Sequence, residues 1–154
     1  MARYSYEYDK ENGVSTCIIT NKQGKVFVGM AQCHPDDMDM NSEYTGSSIA
    51  EMRAERAALR DMRDNEIIPE LRALKELYGS MKHSKQFNPK SYENIMLQRM
   101  IRQKETELQD IRLLVSRQNQ AIREFIFEKE KCYQGIRRHR AEAAQEQGQN
   151  KTNK

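Results

Sequence analysis

Long apolar runs and close-spaced cysteines are both missing from this chain of 154 residues. No stretch approaches the ~18 apolar residues of a membrane helix, and no signal-peptide core is present, so neither membrane insertion nor export is expected. The three cysteines, Cys17, Cys33 and Cys132, lie far apart, and an odd number does not suit a secreted disulfide scaffold. We therefore expect a reduced, cytoplasmic protein.

Residues that form catalytic or metal sites are also scarce. The three histidines, His34, His83 and His139, are widely separated, and none lies in a recognisable catalytic motif. Cys33 and His34 precede three aspartates, but adjacent cysteine and histidine is not a usual zinc spacing, and no second pair follows. We predict no catalytic residue, no metal and no cofactor.

The hydrophobic content is low, at 37%, and the charged content is 32%. This balance is lean for a compact globule and normal for long exposed helices, so oligomerisation is expected to complete the core. Residues 1–47 hold four Lys/Arg against seven Asp/Glu, whereas the remainder holds 22 against 16. The positive second part suits an anionic partner.

From residue 89 onward, no glycine interrupts the chain before Gly135, and the pattern described next continues to about residue 140. Core positions there alternate four and three residues apart: Leu97, Ile101, Lys104, Leu108, Ile111, Val115, Gln118, Ile122, Phe125, Lys129, Cys132 and Ile136. This heptad seam predicts a long helix packed along a partner helix. Asn88 before a proline offers one N-cap, and Ser91 with Asn94 offers an alternative one turn later.

Short strands are predicted before the helices. Alternating tyrosines over residues 4–8, β-branched residues over 14–20 and a third run from 25 to about 33 indicate an antiparallel meander, because turn residues separate them. In the third strand, Val26, Val28 and Met30 are expected on one face. Because apolar residues lie on both faces of this sheet, we expect other elements or another subunit to pack on each face.

Residues 33–46, with four acids, are predicted to form an acidic connecting loop. Ser47 or Ser48 is expected to cap the first helix, with Glu51 in its first turn. Pro69 should kink or restart that helix, because proline removes a backbone donor.

The predicted fold class is α+β: a small N-terminal antiparallel β-meander followed by two long antiparallel helices, in an oligomer. The parts are 1–46, the sheet and acidic loop; 47–140, the two-helix hairpin; and 141–154, a disordered polar tail.

Four arginines share one face of the first helix, three, four and three residues apart: Arg53, Arg56, Arg60 and Arg63. Like charges at this spacing repel, so an anionic group should compensate them. One interpretation is a set of carboxylates on the neighbouring helix, with Glu105, Glu107 and Asp110 as candidates. The other is a phosphate site, because a guanidinium group binds phosphate oxygens two at a time.

Phe87, Asn88, Tyr92 and Asn94 cluster at the start of the second helix. Aromatic faces stack on bases, amides read base edges, and helix N-termini attract anions. Helix capping and loop packing explain the same residues without a ligand.

Arg137, Arg138 and Arg140 lie near the end of the second helix. They suit compensation of the helix dipole. Alternatively, a two-fold partner brings this end of one subunit towards the arginine face or the bend of another.

Two segments resemble a known family: AQCHPDDMDMNSEYTG at 31–46, running into IAEMRA at 49–54, and FNPKSYENIML at 87–97. Together with the tyrosine-rich first strand, they resemble the first type of Thoeris anti-defence family, phage proteins that sequester immune nucleotide signals. The resemblance covers residues 3 to about 140.

The resemblance implies a small sheet joined to two long helices, assembled as a homo-oligomer in the cytoplasm of the infected bacterial host. It also implies binding of glycocyclic ADP-ribose signals, made by TIR-domain enzymes, without degradation. Some members also bind cyclic oligonucleotides at separate sites.

The family pocket uses arginines, an aromatic and an asparagine from different subunits. The implied ligand-binding residues are Phe87 or Tyr92 for stacking, Asn88 or Asn94 for polar contacts, and arginines among Arg53, Arg56, Arg60, Arg137 and Arg138 for phosphates.

The leading hypothesis is therefore a non-catalytic nucleotide sponge. The alternative is a structural or adaptor coiled-coil protein of a virion or complex, in which the heptad seam is the whole function. Nucleic-acid binding, which would weaken steeply with salt, ranks third, and an enzyme ranks last.

Overall fold

The computed structural model describes residues 2–34, 38 and 42–152, with side chains up to residue 145. The elements are β1 (Arg3–Asp9), β2 (Val14–Thr20), β3 (Val26–Gln32), α1 (Glu43–Met62), a π-helical turn (Arg63–Ile67), α2 (Ile68–Lys82) and α3 (Tyr92–Thr152). A three-stranded antiparallel sheet thus precedes a long helical region. The predicted α+β class is confirmed.

The strands form a simple meander in the order β1-β2-β3, with both pairs antiparallel. The two connecting turns each contain a glycine with positive φ, Gly13 at 62° and Gly24 at 79°. In the first turn, Asp9 Oδ1 accepts the backbone N–H groups of Glu11 and Asn12, at 3.0 and 3.1 Å. These turns set the register that places alternate residues on opposite faces.

The inner face of the sheet packs on α1. Cys17 and Ile19 of the sheet form a core cluster with Ala50 and Ala54 of the helix. The approach is so close that a Cβ at Gly29 would lie 2.0 Å from the Ala50 carbonyl oxygen. The alanines and this glycine therefore let helix and strand backbones touch.

The outer face of the sheet is uncovered by the described residues. Val26, Val28 and Met30 are 55%, 49% and 56% exposed, whereas Ala31 is buried and Phe27 packs on the inner core. The predicted division of β3 between two faces is confirmed.

The helices form an antiparallel hairpin. Arg56 of α1 donates a hydrogen bond to Asn119 of α3, and Lys75 of α2 pairs with Glu105 of α3. The residue number therefore rises from α1 to α2 while that of the α3 partner falls, as expected for antiparallel helices. The restart expected at Pro69 is confirmed, because a π-helical turn ends at Ile67 and α2 begins just before the proline. Proline cannot donate to the carbonyl four residues earlier, which disfavours a regular α-helix there.

The heptad seam is confirmed over most of its length. Its buried positions are Leu97, Ile111, Val115 and Ile122. At the far end of the seam, Cys132 is exposed and Ile136 is 41% exposed. The α3 helix therefore extends beyond the partner surface supplied by its own chain.

Neither α1 nor α3 begins at the N-cap residue that was named first for it in the sequence analysis. Ser42, not Ser47 or Ser48, caps α1, with its Oγ accepting the backbone N–H of Thr45 at 3.1 Å. The alternative start of α3 is the one observed, because Ser91 Oγ accepts the N–H of Asn94 at 3.4 Å. Several serines in each segment can serve as caps, and tertiary packing selects among them.

The tail predicted as disordered is helical as far as Thr152. Alanine, glutamate and glutamine dominate residues 141–148, and these are strong helix formers once a helix already leads into them. Much of the predicted acidic loop, at 35–37 and 39–41, lies outside the described residues.

Candidate functional site

Two members of the arginine row of α1, here meaning Arg53, Arg56 and Arg60, donate hydrogen bonds to polar groups, whereas Arg60 lies close enough to Asp64 to help lower the pKa of that carboxyl. Arg53 Nη1 donates to the Met30 carbonyl, and Arg56 Nη1 donates to Asn119 Oδ1 at 2.9 Å. Among the residues that the structure describes, none of the three forms an ion pair with a carboxylate. The fourth arginine on this face, Arg63, differs because it pairs with Asp64 at 2.7 Å.

The carboxylates proposed to neutralise the row have other neighbours. Glu105 pairs with Lys75 at 2.7 Å, and Glu107 pairs with Lys104 at 2.8 Å. Asp110 is nine residues from Asn119, which corresponds to roughly 14 Å along α3. The antiparallel register thus sets Glu105 against Lys75 of α2, and it sets Arg56 of the row against the Asn119 amide.

The charge on the row is costly without an anion. Partial burial lowers the pKa of the Arg56 guanidinium, and the neighbouring charges of Arg60 and Arg53 lower it further. A negative ligand would relieve both effects, because it replaces lost solvation and screens the repulsion. This is the electrostatic setting of a phosphate site.

A cavity of about 180 Å³ adjoins the row where β3, the start of α1 and the later part of α3 meet. Its polar lining includes Arg53, Lys129, Glu130 and Tyr133. Burial raises the pKa of the Tyr133 hydroxyl, nearby Cys33 adds to the rise, and a hydrogen bond with Thr45 opposes it. The volume suits part of a nucleotide and not the whole of one.

Arg137 lies one helical turn beyond Tyr133, so it belongs to the same end of the molecule as Arg53. Arg138 follows it on an exposed part of α3. The structure therefore brings the first helix and the end of the last one towards a common region.

The bend between α2 and α3 has its own cavity of about 330 Å³. Phe87 packs edge-on against Tyr78, with ring centroids 6.1 Å apart, and Tyr92 is 72% exposed. Asn94 is only 3% exposed, and its Nδ2 donates to the Asn88 carbonyl at 2.6 Å. The buried Asn94 Oδ1 has no hydrogen-bond partner among the described residues, which is costly for a polar atom.

The predicted site residues therefore fall into separate places within one chain. From Asn94 to Asn119, the contact of Arg56, is 25 residues or roughly 38 Å along α3, and from Asn94 to Arg137 is roughly 65 Å. A single nucleotide cannot span either distance. A site that combines the bend with the arginine row needs a second subunit.

Lys129, Tyr133 and Asn119 are site residues that the sequence did not identify as such. Lys129 was visible as a polar residue on the seam, and Tyr133 lies four residues later on the same face. A polar residue on the heptad seam, near the end of the hairpin, was therefore the feature of the sequence that could have indicated a site there. Asn119 carried none, because its role depends on the register between α1 and α3.

No family model, curated protein or solved structure matches the chain. Within the described segments, none of the helices combines the length and apolar character needed to cross a bilayer. In the same part of the chain, His, Cys, Asp and Glu side chains nowhere gather in a group of three that could hold a metal ion.

Proposed function

We propose that this protein is a phage anti-defence protein that binds and sequesters glycocyclic ADP-ribose immune signals without degrading them. It acts as a homo-oligomer in the cytoplasm of the infected bacterial host. The observation that carries the proposal is the arginine row: Arg53 and Arg56 bond to a carbonyl and an amide, and in the described chain no member of the row forms an ion pair with a carboxylate. The resemblance of the 31–54 and 87–97 segments supplies the ligand class.

The phosphates of the ligand lie along the arginine row. A guanidinium has five N–H donors, and Arg53 and Arg56 each use a donor of Nη1 within the chain. The remaining donors, with exposed Arg60 at the end of the row, can bind phosphate oxygens. Binding then depends on positions that are already fixed before the ligand arrives.

The bend of a second subunit supplies the base contacts, since the same chain's bend is roughly 38 Å away. Tyr92 offers an exposed ring for stacking, and Asn94 Oδ1 offers a buried acceptor for a base N–H. A cyclic oligonucleotide carries the same phosphate and base chemistry and is a second ligand to test.

A structural or adaptor role remains the alternative function. It is favoured by α3, which has 61 residues and continues past the hairpin with Phe127 and Ile136 exposed. In that case the surface beyond the hairpin would bind another helix, and the arginine row could be changed without loss of function.

Isothermal titration of purified glycocyclic ADP-ribose into the protein separates these functions. We expect Arg56→Gln to weaken binding roughly 10- to 150-fold, the value of one charged hydrogen bond of about 1.5–3 kcal/mol. The matched control is Arg63→Gln, on the same helix face but paired with Asp64, which should bind as the wild type does.

Two results would contradict the proposal. One is a folded wild-type protein that binds neither glycocyclic ADP-ribose nor a cyclic dinucleotide. The other is an equal loss of affinity in both variants, which would indicate a general charge effect and not a defined phosphate site.

A further inference from the structure

The two edges of the sheet are protected differently. At β3, Arg53 of α1 donates to the Met30 carbonyl, and Lys25 precedes the strand and forms an ion pair with Asp61. At β1, residues 4–9 include neither lysine nor proline, with which proteins commonly guard an edge strand. The described chain pairs β1 with β2 alone, so the other side of β1 is the open edge of the sheet.

The hydrogen-bond pattern shows which backbone groups point to this edge. Cys33 N–H donates to the Gly13 carbonyl at 2.9 Å, which continues the register between β2 and β3 by one residue and marks a hydrogen-bonded pair. Bonded and non-bonded pairs alternate along an antiparallel ladder, so alternate residues of the central strand bond to β3 and to β1. In the resulting pattern, the N–H and C=O groups of Tyr4 and Tyr6 point towards the open edge.

The side chains of the same two residues form a groove with α1. Tyr4 and Tyr6 lie on the inner face of the sheet but are nearly half exposed, because α1 packs over β2 and β3 and barely reaches β1. The Tyr6 hydroxyl interacts with the Glu51 carboxylate, and the Tyr4 hydroxyl with that of Glu55. On the far side, Gln118 of α3 donates to Glu55 Oε2 at 2.9 Å.

This groove is negatively charged. Glu51 and Glu55 lie one helical turn apart, and within the described residues neither forms an ion pair with a lysine or arginine. Partial burial raises the pKa of Tyr4, and the negative charges of Glu55 and Glu51 raise it further. The strand itself carries two acids against one arginine. A partner at this edge should therefore be positively charged.

We propose that the open edge of β1 binds an extended, positively charged segment of another protein, which adds a fourth strand to the sheet. In this mode of binding, backbone hydrogen bonds supply affinity and alternate side chains supply specificity. Every second side chain of the added strand lies on the inner face, about 4.8 Å from the tyrosines. A lysine or arginine there contacts an aromatic ring and a carboxylate together. The inference depends neither on nucleotide binding nor on self-association.

Fluorescence anisotropy with a labelled peptide, in which arginine and threonine alternate over the length of β1, tests the inference. Two matched peptides carry the same charge, one N-methylated at its threonine amides and the other at its arginine amides. An added strand turns only one of these sets of amides towards β1. One peptide should therefore bind nearly as the unmodified peptide does, and the other roughly tenfold more weakly or less. Equal binding by both would indicate attraction of charge alone and would overturn the inference.

Substitution of the groove acids supplies a second test. The double variant Glu51→Gln/Glu55→Gln should bind the unmodified peptide roughly tenfold more weakly. The matched control, Glu66→Gln/Glu76→Gln, removes the same charge from exposed acids elsewhere on the helices and should bind as the wild type does. Circular dichroism checks that both variants are folded.

Three other results would count against strand addition. They are no binding to folded wild-type protein up to about 1 mM, equal losses in the two double variants, and an affinity that falls as the protein is concentrated, which would mean that a second copy occupies the edge. None of them affects the titration of nucleotide, so a failure of this inference is distinguishable from a failure of the proposed function.

Discussion

Gly29 is the residue on which contact between sheet and helix depends. Replacing it with alanine would place a Cβ 2.0 Å from the Ala50 carbonyl oxygen and 2.4 Å from the Ala54 nitrogen. Both are backbone atoms, so α1 must shift, and we expect Gly29→Ala to lower the free energy of unfolding by about 3 kcal/mol. Urea denaturation measures the change.

Gly79→Ala is the matched control for that substitution. Nothing lies within 4 Å of a Cβ at this position of α2, so the alanine should stabilise the protein by about 0.5–1 kcal/mol. Equal effects of the two substitutions would mean that α1 does not lie against β3 as described.

Tyr6 should make stability depend on alkaline pH. Partial burial raises its pKa to about 12, and a hydrogen bond to Glu51 adds to the rise. Since the unfolded pKa is 10.0, the stabilisation is complete below pH 10 and is lost as the pH rises from 10 towards 12. Urea midpoints of the wild type should fall more steeply over this interval than those of Tyr6→Phe, and parallel curves would contradict the assignment.

At the residue scale, sequence could identify candidates but not their partners. The spacing of Arg53, Arg56 and Arg60 shows from the chain alone that they share a face. Whether that face meets acids or amides depends on the register with α3, which a pattern of apolar residues specifies only to within a turn. The carboxylate interpretation was therefore reasonable from sequence, and Asn119 could not be anticipated.

At the element scale, the start of α1 offers a direct test. Ser42→Ala should cost about 1 kcal/mol, because its Oγ accepts the Thr45 N–H, whereas Ser47→Ala lies within the helix and should be neutral or slightly stabilising. Thermal unfolding of the two variants decides the point. A larger loss of stability in Ser47→Ala than in Ser42→Ala would place the cap at Ser47, one of the two residues that the sequence alone predicts.

Strands were the more predictable elements, because alternation and glycine turns are local signals. β2 has the predicted bounds of residues 14–20, and the β3 faces match residue by residue. The helix boundaries were less predictable because Ser42, Ser47 and Ser48 are all suitable caps. The choice depends on Gly46, which packs against Ser15 of the sheet and so belongs inside α1.

At the scale of the whole molecule, the chain exposes more surface than a compact monomer. Its accessible area is 11645 Å², whereas a monomer of 18.1 kDa is expected to expose about 8,100 Å². The excess of roughly 3,500 Å² is of the size that stable oligomers bury. Low hydrophobic content and excess surface therefore support assembly independently.

A shared site between subunits predicts complementation. Arg56→Gln and the double variant Phe87→Ala/Tyr92→Ala should each bind ligand poorly. When equal amounts of the two variants are refolded together, about half of the dimers contain one subunit of each variant. One of the two sites in such a mixed dimer combines an intact arginine row with an intact bend, so about a quarter of all sites should recover binding. Titration of the mixture measures this, and no recovery despite subunit exchange would place the row and the bend in unrelated sites.

The central claim is sequestration, and recovery of the bound signal tests it most directly. The purified protein is incubated with the nucleotide products of an active TIR enzyme, freed of unbound material and denatured by heat, and the released material is identified by mass spectrometry. We predict intact glycocyclic ADP-ribose near one equivalent per site from the wild type, and little from Arg56→Gln. Release of a hydrolysed product, or of nothing from folded protein, would contradict the account.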